Sequence, residues 1–376
     1  MKKSIRLFGF LCAVCAALSC SLLSAEPQAI AVKTAAGGKP AEPTAAKEFR
    51  PADLPGLKDM GRIAFTSIRE NGLSDIYIME ADGGNMHFLD MPESTDLGAR
   101  WSPDGEWLAF LSSDGKATFD VMRVRPDGTD LSNLTDSTSD ESGFGWSPDG
   151  SQIVFSSNRS GNYELYLMNA DGSNVRQLTE TPDADEAEPA WSPDGTTIGC
   201  LCGPKGEYTG DVCTVKTDGS DLVNLTPEDP DVDDFIWSPD GAQIAFGMPL
   251  FPEEIWRMDS DGSGKENLSE NPADDGGIAF SPDGARIVFS SDRDGKTKQI
   301  YLLRLADRSV TALTDNDRVN VSPAWSPDGT WIAFVQAASL GDFDFEICAV
   351  RIDGRGLTNL TNNPGKDYDP DWEPLS

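Results

Sequence analysis

Histidine is nearly missing from this 376-residue chain: His87 stands alone. One imidazole cannot build a multi-histidine metal centre, and a surface histidine bonded to its own surroundings is the ordinary reading of it. Neither a Gly-x-Ser-x-Gly elbow nor a Gly-x-x-x-x-Gly-Lys loop occurs. The sequence signatures of a serine hydrolase and of a phosphate-cradling site are therefore absent. Positive charge is scarce as well: 30 Lys and Arg stand against 63 Asp and Glu, a formal net charge of −33. Such a field repels nucleic-acid phosphates and anionic lipid alike. Basic proteins or peptides and divalent cations, Ca2+ foremost, remain as partners.

Long apolar runs are also wanting. The only one, Leu7 to Leu23, follows Lys2, Lys3 and Arg6 and falls short of the ~20 residues a spanning helix needs. It has the layout of a secretory signal over residues 1–25, with cleavage after Ala25. The expected product is periplasmic or secreted, with no transmembrane segment. Ala17-Leu18-Ser19-Cys20 offers an alternative, a lipoprotein anchored through Cys20. Loss of the signal removes three positive charges and takes the net charge from −33 to −36. Residues 26–57 are rich in Ala, Pro, Lys and Gly, cannot bury a core, and read as a flexible tether.

What is abundant is turn chemistry, with 36 Gly and 25 Pro. Ser-Pro-Asp-Gly recurs at Ser102, Ser147, Ser192, Ser238, Ser281 and Ser326, each after an aromatic residue: Trp101, Trp146, Trp191, Trp237, Phe280 and Trp325. The aromatic positions lie 45, 45, 46, 43 and 45 residues apart, the spacing of a four-stranded propeller blade. Pro sets φ and Gly accepts a positive φ in the turn, which launches a short apolar second strand. Seven such strands occur, from Ile63-Ala64-Phe65 to Ile332-Ala333-Phe334. Third strands such as Asp75 to Met79 end at Asp-Gly hairpins; blade six substitutes Asp307-Arg308, an altered turn. Outer strands end in pairs such as Leu134-Thr135. The first unit has no turn motif of its own, and the orphan strand at Trp372, 47 residues after Trp325, supplies its missing first strand. The expected fold is all-β: a seven-bladed β-propeller of four-stranded antiparallel blades over residues 58–376, closed by pairing its two ends, and monomeric.

The repeat Trp-Ser-Pro-Asp-Gly, Ile-Ala-Phe, Ile-Tyr-x-Met, Asp-Gly, Leu-Thr resembles the WD-like repeat of the TolB family over about residues 60–376. The resemblance implies an extracytoplasmic, protein-binding propeller. TolB proper adds an N-terminal α/β domain to six blades, so this sequence reads as a relative rather than as TolB itself. Oligogalacturonate lyases share a seven-bladed fold, but their metal centre needs several histidines.

The repeat also carries polar residues five or six positions before each aromatic: Asp96, Asp140 with Glu141, Asp185 with Glu186, Asp231, Asp274 with Asp275, Asn320, and Asp367. On loops between an outer strand and the next first strand, these would form a ring near the channel mouth. One expectation is binding of Ca2+ or a basic peptide of the cell envelope; the other is that each carboxylate caps its own loop. Asp292-Arg293-Asp294-Gly295 resembles a calcium loop but falls where a hairpin turn is expected. Four cysteines follow the signal, Cys200, Cys202, Cys213 and Cys348. An oxidising compartment could bridge Cys213 to Cys202 or to Cys200, and free buried thiols are the alternative. The function expected is a non-catalytic envelope scaffold with an acidic binding face. Its alternative is a metal-dependent lyase or hydrolase with carboxylate ligands in the channel.

Overall fold

The computed structural model describes residues 56–68, 72–89, 91, 94–115, 118–206, 210–228, 232–248, 252–339, 344–363 and 365–375. The signal segment, Cys20, most of the tether and Asp231 lie outside them. Among these residues the strands form seven four-stranded antiparallel sheets, and the lone helical element is the single turn Lys58–Met60. Among the described residues no helix is long and apolar enough to cross a membrane. Blade 2 is typical: Thr95–Trp101, Leu108–Ser113, Asp120–Val124 and a short outer strand, Ser132–Asn133. The outer strands stop just before the Leu-Thr pairs. There the leucine is buried and the Thr135 hydroxyl accepts the Val121 N–H at 3.0 Å, capping the third strand.

The turn motif works through its serine. Ser102 Oγ donates to Asp104 and accepts the N–H of Trp107 at 3.0 Å, while Asp104 also accepts the N–H of Glu106. The same net recurs at Ser147, Ser192, Ser238, Ser281 and Ser326. Gly105 sits at φ +69°, a conformation that a Cβ would strain. In blade six the altered hairpin places Arg308 at φ +58°.

The core lies between blades. Phe65, Phe110, Phe155, Phe246, Phe289 and Phe334 on the second strands are fully buried, and clusters such as Ile76, Ile78, Trp101 and Phe110 join adjacent blades. Opposite Phe65, Phe155 and Phe289 stand Tyr77, Tyr166 and Tyr301, with ring centroids 5.6–5.9 Å apart. Blade 4 has Cys200 opposite Cys213 at these positions, and there a disulfide joins Cys213 to Cys202 across Cα atoms 5.8 Å apart. Cys200 and Cys348 are buried free thiols. Leu57, read from sequence as the end of the tether, is fully buried against blades 7 and 1.

The ring closes in blade 1, where Lys366–Trp372 pairs antiparallel with Arg62–Ile68. Glu373 takes over the part of the missing serine turn: its carboxylate accepts the Arg62 N–H at 3.0 Å and binds the Arg62 guanidinium at 2.6 and 2.8 Å. Trp372 Nε1–H donates to Ala324 O of blade 7. Glu373→Ala should therefore lower the free energy of unfolding in urea by about 2 kcal/mol, and Trp372→Ala by about 3–5 kcal/mol. Lys296→Ala, which breaks the exposed pair with Asp315, should leave the urea midpoint unchanged.

Candidate functional site

The seven first strands stand side by side around a central axis, tied by their aromatic residues. The indole N–H groups of Trp146, Trp191, Trp237, Trp325 and Trp372 donate to Arg100 O, Gly145 O, Ala190 O, Ala279 O and Ala324 O, at 3.0–3.3 Å. Each acceptor is the residue just before the aromatic of the preceding blade. Alternation along a strand then turns the side chains one and three positions before the aromatic to one common side. In five blades a bulge interrupts this stretch with a left-handed residue: Gly98, Glu188, Gly277, Ser322 or Asp369. Glycine adopts that conformation freely; Glu188, Ser322 and Asp369 carry a strain of about 1 kcal/mol each.

These positions gather charge on the axis. Arg100 of blade 2 binds Asp369 of blade 1 through two hydrogen bonds, 2.9 and 3.0 Å, and Asp371 Oδ2 accepts the Trp101 N–H at 2.9 Å. Glu188 of blade 4 feels the charges of Asp234, Arg100 and Asp369, although blade 4 pairs no strand with blade 1 or blade 2. Only a shared central channel brings them together. Solvent reaches Arg100 and Asp369, whose side chains are 35% and 28% exposed, yet protein surrounds the group on every side. Desolvation accordingly pushes Glu188 up to about 8, with Asp234 adding repulsion and Arg100 opposing it. Asp234 and Asp371 are pushed to about 6, in each case chiefly by burial. Asp369 and Asp371 outweigh burial at Arg100 and keep it protonated.

The residues singled out from sequence lie elsewhere. Asp96, Asp140, Glu141, Asp185, Glu186, Asp275, Asn320 and Asp367 are buried, one set per blade junction, and Asp274 is half-buried. The expectation was a ring near the channel mouth; the side chains described here are buried or half-buried at the blade junctions. Asp140 accepts the Phe119 N–H at 2.8 Å and the Tyr163 hydroxyl at 2.6 Å, and Asp185 accepts the N–H groups of Tyr163 and Gly206. Asp274 accepts the Glu253 N–H and pairs with Lys298. Glu141 and Asp275 meet Arg159 and Arg293, each at 3.0 Å. Asp367 accepts Ser67 Oγ and Asn363 Nδ2, Asn320 bonds Gln299 and Gln336, Asp96 accepts Ser94 Oγ, and Glu186 accepts Thr181 Oγ1. Their backbone belongs to the same stitch, for the N–H groups of Glu141, Glu186, Asp275, Asn320 and Asp367 donate to the preceding blade. Burial raises Asp96 and Glu141 to about 6 and Glu186, beside Glu164, to about 7.

Among the described residues no three His, Cys, Asp or Glu side chains stand close enough to hold one metal ion. The Asp292–Gly295 segment is a hairpin turn, with Gly295 N–H donating to Asp292 O and Asp294 accepting the Tyr301 hydroxyl. His87 bonds Asn85 O and Pro126 O at the rim. Sequence reasoning passed over Arg100, Glu188, Asp234, Asp369 and Asp371. The signal was there: all are charged at positions one or three before the aromatic, where other blades carry Gly, Ala, Ser or Ile.

The description "TolB beta propeller domain" matches residues 143–248 and 235–376. The chain belongs to this TolB propeller family. Among solved structures, TolB from Acinetobacter baumannii superposes with a TM-score of 0.50 at 18% identity, over 86% of this chain and 69% of that one. An oligogalacturonate lyase in complex with manganese gives 0.63 at 14% identity, over 78% and 86%. A puromycin hydrolase gives 0.64 at 14%, over 82% of this chain but 52% of its own, so the present chain spans about half of that enzyme. Identities this low speak for the fold alone. Comparison with curated proteins yields no match.

Carboxyls with raised values keep their protons in the folded state at pH values where the unfolded chain has lost them. Glu188 and Glu253, both pushed to about 8 mainly by burial, together with Glu186, Asp96, Asp234 and Asp371, therefore make stability fall as pH rises from about 4.5 to about 8. Asp149 and Asp283, lowered to about 2 first of all by the hydroxyls of Ser147 and Ser281, act oppositely and lose their contribution below about pH 4. Urea midpoints should be higher at about pH 5 than at about pH 8.5, and Glu188→Gln should flatten the upper part of that decline.

Proposed function

We propose that this protein is an exported, non-catalytic binding propeller whose central channel receives a basic segment of a cell-envelope protein or peptide. The observation that carries the reading is the channel lining: one arginine, Arg100, against four carboxyl groups, Asp234, Asp369, Asp371 and a Glu188 that gives up its proton when a cation arrives, drawn from blades 1, 2, 4 and 5. Arg100 is largely spent on Asp369, so a net negative charge faces an incoming cation. The carboxylates surround the axis rather than converging on one point, which suits several ammonium or guanidinium groups along a chain better than one metal ion. Left-handed backbone at Glu188 and Asp369 supports the reading, since such strain is retained where a side chain must be aimed. The junction carboxylates and the overall charge of −33 add a long-range field that draws basic partners in. Export rests on the signal-like N-terminus and on family membership.

The test is binding of a fluorescein-labelled lysine–glycine repeat peptide by anisotropy, at low and physiological salt, with and without chelator or added Ca2+. Glu188→Gln combined with Asp234→Asn should weaken binding about tenfold or more at low salt, and salt should weaken the parent in the same direction. Chelator should change nothing. Unaltered binding by the double variant, or binding that requires Ca2+, refutes the reading.

A further inference from the structure

One column of the repeat is the residue just before the apolar run of each second strand. The column reads Arg62, Trp107, Gln152, Thr197, Gln243, Arg286 and Trp331. Two of these are cations laid on the neighbouring indole, Arg62 over Trp101 at 4.7 Å and Arg286 over Trp325 at 5.6 Å from the ring centre. Blade 4 offers Thr197 instead. Its third strand offers Thr214 where Ile78, Arg123, Leu167, Arg257, Leu302 and, in blade 7, Ala349 stand, and Gly199 replaces Ala64. Trp237 and Phe235 settle onto that glycine; a Cβ there would lie 3.1 Å from Trp237 Nε1 and 2.6 Å from the Phe235 ring.

Thr197 and Thr214 border an open pocket of about 530 Å3 between blades 4 and 5, with Trp237 also in its lining. Asp194, Asp221 and Asp261 also border it, against one cation, Lys216, whose Nζ bonds Thr197 Oγ1 at 3.2 Å. Asp194 and Asp261 are lowered from the ordinary carboxylate value, first by the hydroxyls of Ser192 and Ser263 and then by backbone N–H groups. An aromatic ring beside an open pocket, rimmed by an excess of carboxylates, is matched by a planar cation.

We propose that this cavity is a second binding site, independent of the channel, which takes an arginine side chain of a basic peptide laid over Trp237 as Arg62 lies over Trp101. Guanidinium fits better than ammonium, because it stacks on the indole while its N–H groups reach carboxylates at the rim.

The experiment incorporates 5-fluorotryptophan and follows the Trp237 resonance, assigned by its loss in Trp237→Phe, during titration with an arginine–glycine repeat peptide. The resonance should shift saturably. The dissociation constant read from it should rise about tenfold when citrulline replaces arginine in the peptide, and similarly in Thr197→Arg, which supplies a guanidinium from within. The other tryptophan resonances of Thr197→Arg should stay in place and certify its fold. Glu188→Gln with Asp234→Asn should leave the Trp237 response unchanged. A Trp237 signal that does not move with peptide, or that moves equally in Thr197→Arg or with the citrulline peptide, overturns the proposal. Loss of the response only in the channel variant also overturns it, while leaving the channel reading intact.

Discussion

Antiparallel pairing of Lys366–Trp372 with Arg62–Ile68 is the contact on which the remaining structure depends. A blade is apolar on both faces, and its second and third strands are buried only because a neighbour stands on each side. The cluster that joins Phe65, Met79 and Trp372 of blade 1 to Trp331 and Ile347 of blade 7 exists solely because the chain ends meet. Without closure two blade faces and two sheet edges would be open to solvent. Glu373 adds directionality, since its carboxylate fastens the Arg62 backbone and guanidinium at once, in the place that a serine turn occupies in the other blades.

Closure also makes one position in the repeat serve seven different surroundings. At three junctions the residues at the start of the first strand solve the same problem: Asp140, Asp185 and Asp274 each accept the N–H just before the preceding third strand. Carboxylates suit that task, and Arg159, Arg293 or an amide pair offsets their burial where the junction is tightest. Two to four positions further along the strand the side chains leave the junction and reach the axis. There the repeat is broken: charge stands one before the aromatic only at Arg100 and Asp371, and three before it only at Glu188, Asp234 and Asp369. Repetition marks scaffold, and departures from repetition mark the places where one blade does something its siblings do not. Thr197, Gly199 and Thr214 are departures of the same kind at the outer face.

The blade boundaries, the seven second strands, the Asp-Gly hairpins and the terminal Trp372 strand were all legible in the chain, because turn chemistry and aromatic spacing are local properties that recur in register. The acidic residues before each aromatic were equally visible, but their direction was not. Alternation alone would give Asp367 and Asp369, two positions apart, the same side, yet Asp367 is buried against Ser67 while Asp369 meets Arg100 in the channel. Spacing cannot separate the two without the bulge, whose left-handed residue shifts the register between them.

By itself the sequence determined the all-β ring, its blade number and its closure, because each follows from a motif repeated at constant spacing. Tertiary structure alone decided which charges share a site. Arg100, Glu188, Asp234 and Asp369 span some 270 positions of the chain, and only the circular arrangement of blades brings them to one axis. It decided the disulfide as well: Cys200 faces Cys213 in register, yet Cys213 bonds the diagonal Cys202. Local order writes the blades, and the ring assigns what their side chains meet.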